Sequence, residues 1–150
     1  MKKKAFTVAL VLGLICMFTN GFADDLRKKV VGKWYNPYTY ETTGEMRGFE
    51  FKKNGKCKAL GIANMNLSSW EVKEGRLIIK GEYLNPKSGK WEDYHTSEKI
   101  DQVNADSLYV LSVEKPMKLG FLYMSPKALK KKVVPASKEI DGQTVIKKVN

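Results

Sequence analysis

The stretch Val30–Gly55, VVGKWYNPYTYETTGEMRGFEFKKNG, decides the reading of this chain. It divides into a first strand carrying Gly32-Lys33-Trp34, a loop through Pro37 and Gly44, and a second strand carrying Phe49-Glu50-Phe51. Asn54-Gly55 closes the stretch. An Asn-Gly pair between alternating runs signals a hairpin, because both residues tolerate positive φ. A large aromatic after a strand-opening glycine, facing a Phe-x-Phe strand, is how a small barrel begins to fill one end.

Downstream the same theme of short alternating strands repeats. Lys56 to Ile62 places Cys57, Ala59 and Gly61 on one face, and Leu67 to Lys73 places Trp70 and Val72 together. After a Glu74-Gly75 turn, Arg76 to Leu84 aligns Leu77, Ile79, Gly81 and Tyr83. Pro86 to Gly89 is a loop, since proline pre-sets one turn angle and glycine supplies another. Trp91 to Ile100 is a sixth strand whose parity is ambiguous, because Trp91 and Tyr94 point to opposite faces. Asn104 to Asp106 turns the chain into Ser107 to Glu114, Lys115-Pro116 breaks it, and Met117 to Met124 is the last apolar run.

Connections this short leave no room for helical crossovers, so neighbouring strands are antiparallel. The expected fold is all-β, an eight-stranded antiparallel up-and-down barrel, with a sandwich as the alternative. Ser125-Pro126 is placed to cap a short helix through Lys130, and Ile140 to Ile146 suggests a small terminal hairpin.

The first residues read as an export signal. Met1 to Lys4 is basic, Ala5 to Phe18 is apolar, and Gly21 and Ala23 put small residues at the −3 and −1 positions before Asp24. Cleavage after Ala23 is expected, rather than lipidation of Cys16, whose preceding Ile15 is bulky. The expected division is therefore residues 1–23 as signal, 24–126 as barrel and 127–150 as a C-terminal extension. Asp24 to Lys29 is a charged lead-in with room for one helical turn. Loss of three lysines from 27 Lys+Arg leaves 24 against 16 acids, a net charge of +8. Cys57 is then the only cysteine, so the domain stands on its apolar core without an internal disulfide.

The order of these motifs resembles the exported lipocalin-like domains (calycin group) of Bacteroidetes. The residues that carry the resemblance are Gly32-Lys33-Trp34, Gly48 to Phe51 with Asn54-Gly55, Trp70 followed by Gly75 to Ile79, and Ile100 with Asp106 to Leu111. It spans Val30 to Met124 and implies an eight-stranded barrel, often with an apolar ligand. The Thr-Asp-Tyr signature of classical lipocalins is absent, as is a late arginine to stack on Trp34; Lys127 and Lys130 are the candidates to cover that ring.

Enzymatic chemistry finds little support. Cys57 and His95 are the only thiol of the mature chain and the only imidazole, but nothing beside them reads as an orienting group or an oxyanion hole. One His and one Cys do not make a zinc site. Glu41, Glu45, Glu50, Glu92 and Asp93 read as solvated acids rather than paired glycosidase carboxylates. No cofactor is expected. The basic excess is nearly all lysine at turns and termini, unlike the arginine–aromatic strips that bind nucleic acid. Weak association with an anionic envelope surface fits that charge better.

Most strands send large residues inward, whereas the third offers Cys57, Ala59 and Gly61. Strand number and stagger fix a barrel's diameter, so small residues leave space unless a neighbour folds across. The expected ligand-binding residues are Phe51, Cys57, Ala59, Gly61, Trp70, Leu77, Ile79 and Phe121, around a small apolar or amphipathic molecule. The competing possibility is that Trp70 or Phe121 fills the space, leaving an envelope or surface protein that binds a macromolecule through its lysine-rich exterior.

Overall fold

The computed structural model describes residues 21–112 and 119–132. Residues 21–30 form helix α1, followed by β1 (Gly32–Tyr35), helix α2 (Pro37–Thr43), β2 (Gly48–Phe51), β3 (Cys57–Leu60) and β4 (Met65–Lys73). Next come β5 (Arg76–Leu84), β6 (Trp91–Val103), β7 (Ser107–Leu111), β8 (Gly120–Met124) and helix α3, residues 126–132. The expected hairpin at 140–146 and the break at Lys115-Pro116 lie outside the described residues.

The strands form one antiparallel sheet in the order β3-β2-β1-β8-β7-β6-β5-β4, which is the expected eight-stranded up-and-down barrel. Sequential neighbours pair except β3 and β4, which lie at the two ends of the order, and β1 meets β8 through the single pair Tyr35↔Met124. Closure between β3 and β4 rests on one bridge, Lys56↔Ser69, with the Trp70 amide donating to the Gly55 carbonyl at 2.8 Å.

Several boundaries depart from the sequence expectation, each for a local reason. The loop through Pro37 is helix α2. Asn36 Oδ1 accepts from the Thr39 amide at 3.1 Å, Pro37 occupies the first turn, and Gly44 ends the helix in the left-handed region. The charged lead-in is more than one turn: α1 runs through residue 30 and crosses the expected cleavage position. The third strand ends at Leu60, and the fourth begins at Met65 instead of after Asn66.

The turns also trade roles. Asn54 keeps negative φ in a three-residue loop closed by Lys52 N donating to Lys56 O, with Gly55 alone left-handed. It is Glu74-Gly75 that has positive φ at both positions, the geometry that matches strand twist in a two-residue hairpin.

The core is continuous from Val30 and Trp34 through Phe51, Cys57, Leu67, Trp70, Leu77 and Ile79 to Ile100, Leu108 and Val110. Leu119, within the last apolar run, precedes β8 and is 48% exposed. The expected cap at Ser125 is present: its Oγ accepts from the Ala128 amide at 3.3 Å. Helix α3 buries Ala128 and Leu129, and Lys132 reaches Glu41 of α2 at 2.7 Å.

Candidate functional site

One end of the barrel is plugged. The Trp34 indole donates to the Val30 carbonyl at 2.7 Å, fixing the ring beneath the end of α1. The Trp70 indole donates to the Lys52 carbonyl at 2.9 Å, and its ring lies 5.2 Å from Phe51. The cation over an indole is Arg27, 5.6 Å from the Trp70 ring; Lys127 and Lys130, the residues expected over Trp34, are both exposed. Burying an aromatic ring while satisfying its N–H makes each tryptophan a rigid fixture. Both hold this end shut.

Of the residues expected to bind a ligand, the structure brings seven together. Phe51, Cys57, Trp70, Leu77 and Ile79 belong to one buried cluster, with Ala59 and Phe121 packed against it. Gly61 is not among them. It lies one residue past β3 with φ of 65°, exposed, and a Cβ there would meet the Met46 carbonyl. Its glycine answers a turn and a close backbone approach, not a gap in the interior. Gly81 likewise abuts Asn66 and Leu67 of β4, so its missing side chain answers a close strand contact.

Around the lower interior the large rings meet one another, and Trp70 takes the position from which it was expected to be able to fill the space. Space against the third strand is present, but at its edge. A cleft of about 360 Å³ lies between β3 and β4, lined by Cys57, Ala59, Met65 and Leu67 together with Lys52, Lys56 and Lys58. Burial pushes the Cys57 thiol up to about 11, which keeps it neutral. His95 sits on the exposed face of β6 opposite Lys80, so the conceivable Cys–His pair is not assembled.

The other half of the interior is more polar than the sequence suggested. Even-numbered residues of β6 face inward as far as Ile100, where the register shifts, which resolves its parity: Trp91 is 49% exposed and Tyr94 half-buried. Tyr94, Thr96 and Glu98 therefore share the inner face with Tyr123 of β8, whose ring lies 5.5 Å from Phe49. Burial, then the Glu98 carboxylate, then Tyr94 push the Tyr123 phenol well above its ordinary value. Burial also raises Tyr94; Thr96 partly offsets this and Glu98 adds to it. The Thr96 Oγ1 is nonetheless enclosed without a hydrogen bond of good geometry among the described residues.

At the rim Glu92 is held in place rather than solvated freely. It accepts from Tyr83 Oη at 2.8 Å, Asn85 Nδ2 at 2.8 Å and Ser88 Oγ at 3.1 Å. The Tyr83 hydrogen bond, then that of Asn85, lowers the carboxyl below its ordinary value. No group of three or more metal-ligating side chains occurs among the described residues.

Comparison with known proteins agrees with this architecture. A family profile described as lipocalin-like matches residues 26–124. No curated protein sequence matches the chain. Among solved structures, a lipocalin-like protein from Bacteroides thetaiotaomicron is similar, with 22% identity and a TM-score of 0.51 over 62% of this chain and 94% of that one. At that identity the likeness concerns the fold.

Proposed function

Because this chain belongs to the lipocalin-like family, we propose that it is an exported, non-enzymatic protein whose barrel holds a small apolar or amphipathic molecule. The observation that carries this reading is the combination of small side chains on β3 with a cleft opening beside them. Cys57 and Ala59 line this cleft with Met65 and Leu67, and Cys57 and Leu67 belong to the same buried cluster as Phe51, Trp70, Leu77 and Ile79. A cleft of about 360 Å³ is within the range of roughly 300–1,000 Å³ usual for small-molecule sites. The enclosed Thr96 hydroxyl and the Tyr94 and Tyr123 phenols favour a ligand that brings at least one polar group.

The test uses N-phenylnaphthylamine, an uncharged apolar probe whose fluorescence rises on burial. The parent protein is expected to bind it, and Ala59→Phe to abolish binding while retaining a cooperative unfolding transition. A parent that binds no such probe, with Ala59→Phe merely destabilised, removes the reading. Export is tested by the mass of the protein recovered from its native host. A mature N-terminus at Asp24 is expected, and a diacylated Cys16 would overturn that part.

A second reading places function on the exterior. Arg27, Lys28 and Lys53, with Val31 and one acid, Asp24, line a groove of about 700 Å³ beside α1, whose net positive charge suits an anionic polymer of the envelope. Salt-sensitive binding to such a polymer without any binding of the apolar probe would favour it.

A further inference from the structure

The eight-stranded sheet has two ends, and they face each other. β3 and β4 are its first and last strands, joined only by the Lys56↔Ser69 bridge and the Trp70–Gly55 hydrogen bond. Beyond that point no ladder joins Cys57–Leu60 to Met65–Ser68. The β4 register shifts between Leu67 and Ser69, and Ser68 Oγ turns away to the Lys80 carbonyl at 3.1 Å. A bulge there bends the edge and ends pairing. The wall of the barrel is therefore split along this seam.

The two lips of the split differ chemically. Alternation along β3 turns Cys57 and Ala59 inward and Lys56 and Lys58 outward. On β4, Leu67 and Met65 pack with the core while Asn66 and Ser68 are exposed. Lys52 adds a third cation at the closed end of the same cleft. No acidic residue lines it, and none of the ion pairs among the described residues involves Lys52, Lys56 or Lys58. The inner lip thus suits hydrocarbon and the outer lip suits negative charge.

We propose that the β3–β4 seam is a lateral access and anchoring site for an anionic amphiphile. Its apolar body passes Cys57, Ala59 and Leu67 toward the core. Its carboxylate or sulfate stays outside, held by Lys52, Lys56 and Lys58. Charge-assisted hydrogen bonds from lysine to an oxyanion give the head group a fixed register while the apolar part is buried. An added peptide strand is a poorer occupant. The free edge of β3 is only four residues long, and lysines on an edge strand oppose strand addition. The proposal rests on the binding reading above and specifies both the route and the head group.

The experiment compares dansylundecanoic acid with its methyl ester by fluorescence titration of the full chain. The parent is expected to bind the acid more tightly than the ester, with a preference that shrinks as salt is raised. The exposed double variant Lys56→Glu/Lys58→Glu is expected to weaken acid binding about tenfold and to leave ester binding within about twofold, since each exposed ion pair contributes modestly. Lys28→Glu/Lys53→Glu, at the α1 groove, is the control and is expected to change neither. Amide shifts on adding the acid should fall at Cys57, Ala59 and Leu67.

Equal affinity for acid and ester in the parent, or equal loss of both in the seam variant, overturns the seam assignment while leaving a ligand-binding barrel. Loss confined to the α1 variant, or uptake of an extended apolar peptide in place of the acid, also overturns it. Failure of the parent to bind acid, ester or N-phenylnaphthylamine removes both this proposal and the function on which it rests.

Discussion

Replacing Trp34 tests whether the tryptophan is structural. The side chain is 3% exposed, pairs across the sheet with Phe49, and donates its indole N–H to the Val30 carbonyl at 2.7 Å. Truncation to alanine removes a large buried ring and leaves a cavity beneath α1, a change that costs about 3–5 kcal/mol at buried aromatic positions. It also strands the Val30 carbonyl, worth about 1–3 kcal/mol if water does not reach it. Small domains have only about 5–15 kcal/mol in total, so the variant should retain little more than marginal stability. With a urea dependence of about 1–3 kcal/mol/M, the midpoint should fall by roughly 2 M. Trp34→Phe separates the two contributions: it keeps most of the ring and loses only the donor, for about 1–3 kcal/mol. Equilibrium urea unfolding followed by far-UV circular dichroism measures both variants. An alanine variant that unfolds at the parent's midpoint but no longer binds the apolar probe would refute the reasoning and make Trp34 a ligand contact.

Two further outcomes follow from the titratable groups. Cys57, neutral because burial raises its thiol to about 11, should react with iodoacetamide at pH 8 far more slowly in the folded protein than in urea; rapid stoichiometric labelling of the folded form would contradict its burial. Glu92 has a folded pKa depressed by its Tyr83 hydrogen bond, so its contribution to stability is present above the unfolded carboxyl value and is lost as pH falls through the lower folded value. Glu92→Gln should therefore lower stability modestly at neutral pH, flatten the acid limb of the profile and converge on the parent at low pH. A variant with the parent's acid limb would show that this rim network is inconsequential.

The strand count, their antiparallel order and most inward-facing residues were legible in the sequence because alternation has a period of two and turn residues interrupt it. Phe51, Trp70, Leu77, Ile79, Leu108 and Val110 fall on the inner face for that reason. Helix α2 could have been found from the Asn36-Pro37 pair, a cap residue followed by proline at the first helical position, with Gly44 as the stop. The inward set Tyr94, Thr96 and Glu98 was obscured because Trp91, the largest residue at the start of β6, lies on the outer face. Parity taken from a strand end fails where that end has left the core.

Local chemistry by itself determined that this chain makes short paired strands around an aromatic plug, because backbone alternation, proline and glycine act within a few residues. It also determined the lysine excess and the single cysteine remaining after the expected cleavage. Only the tertiary structure decided where the sheet fails to close. Whether β3 and β4 zip together depends on the accumulated stagger of eight strands and on a one-residue bulge at Ser68, quantities spread over the whole barrel. The same closure decided that Gly61 faces a neighbouring backbone, and that Cys57 and Ala59 line a cleft bordered by lysines rather than an enclosed cavity bordered by phenylalanine.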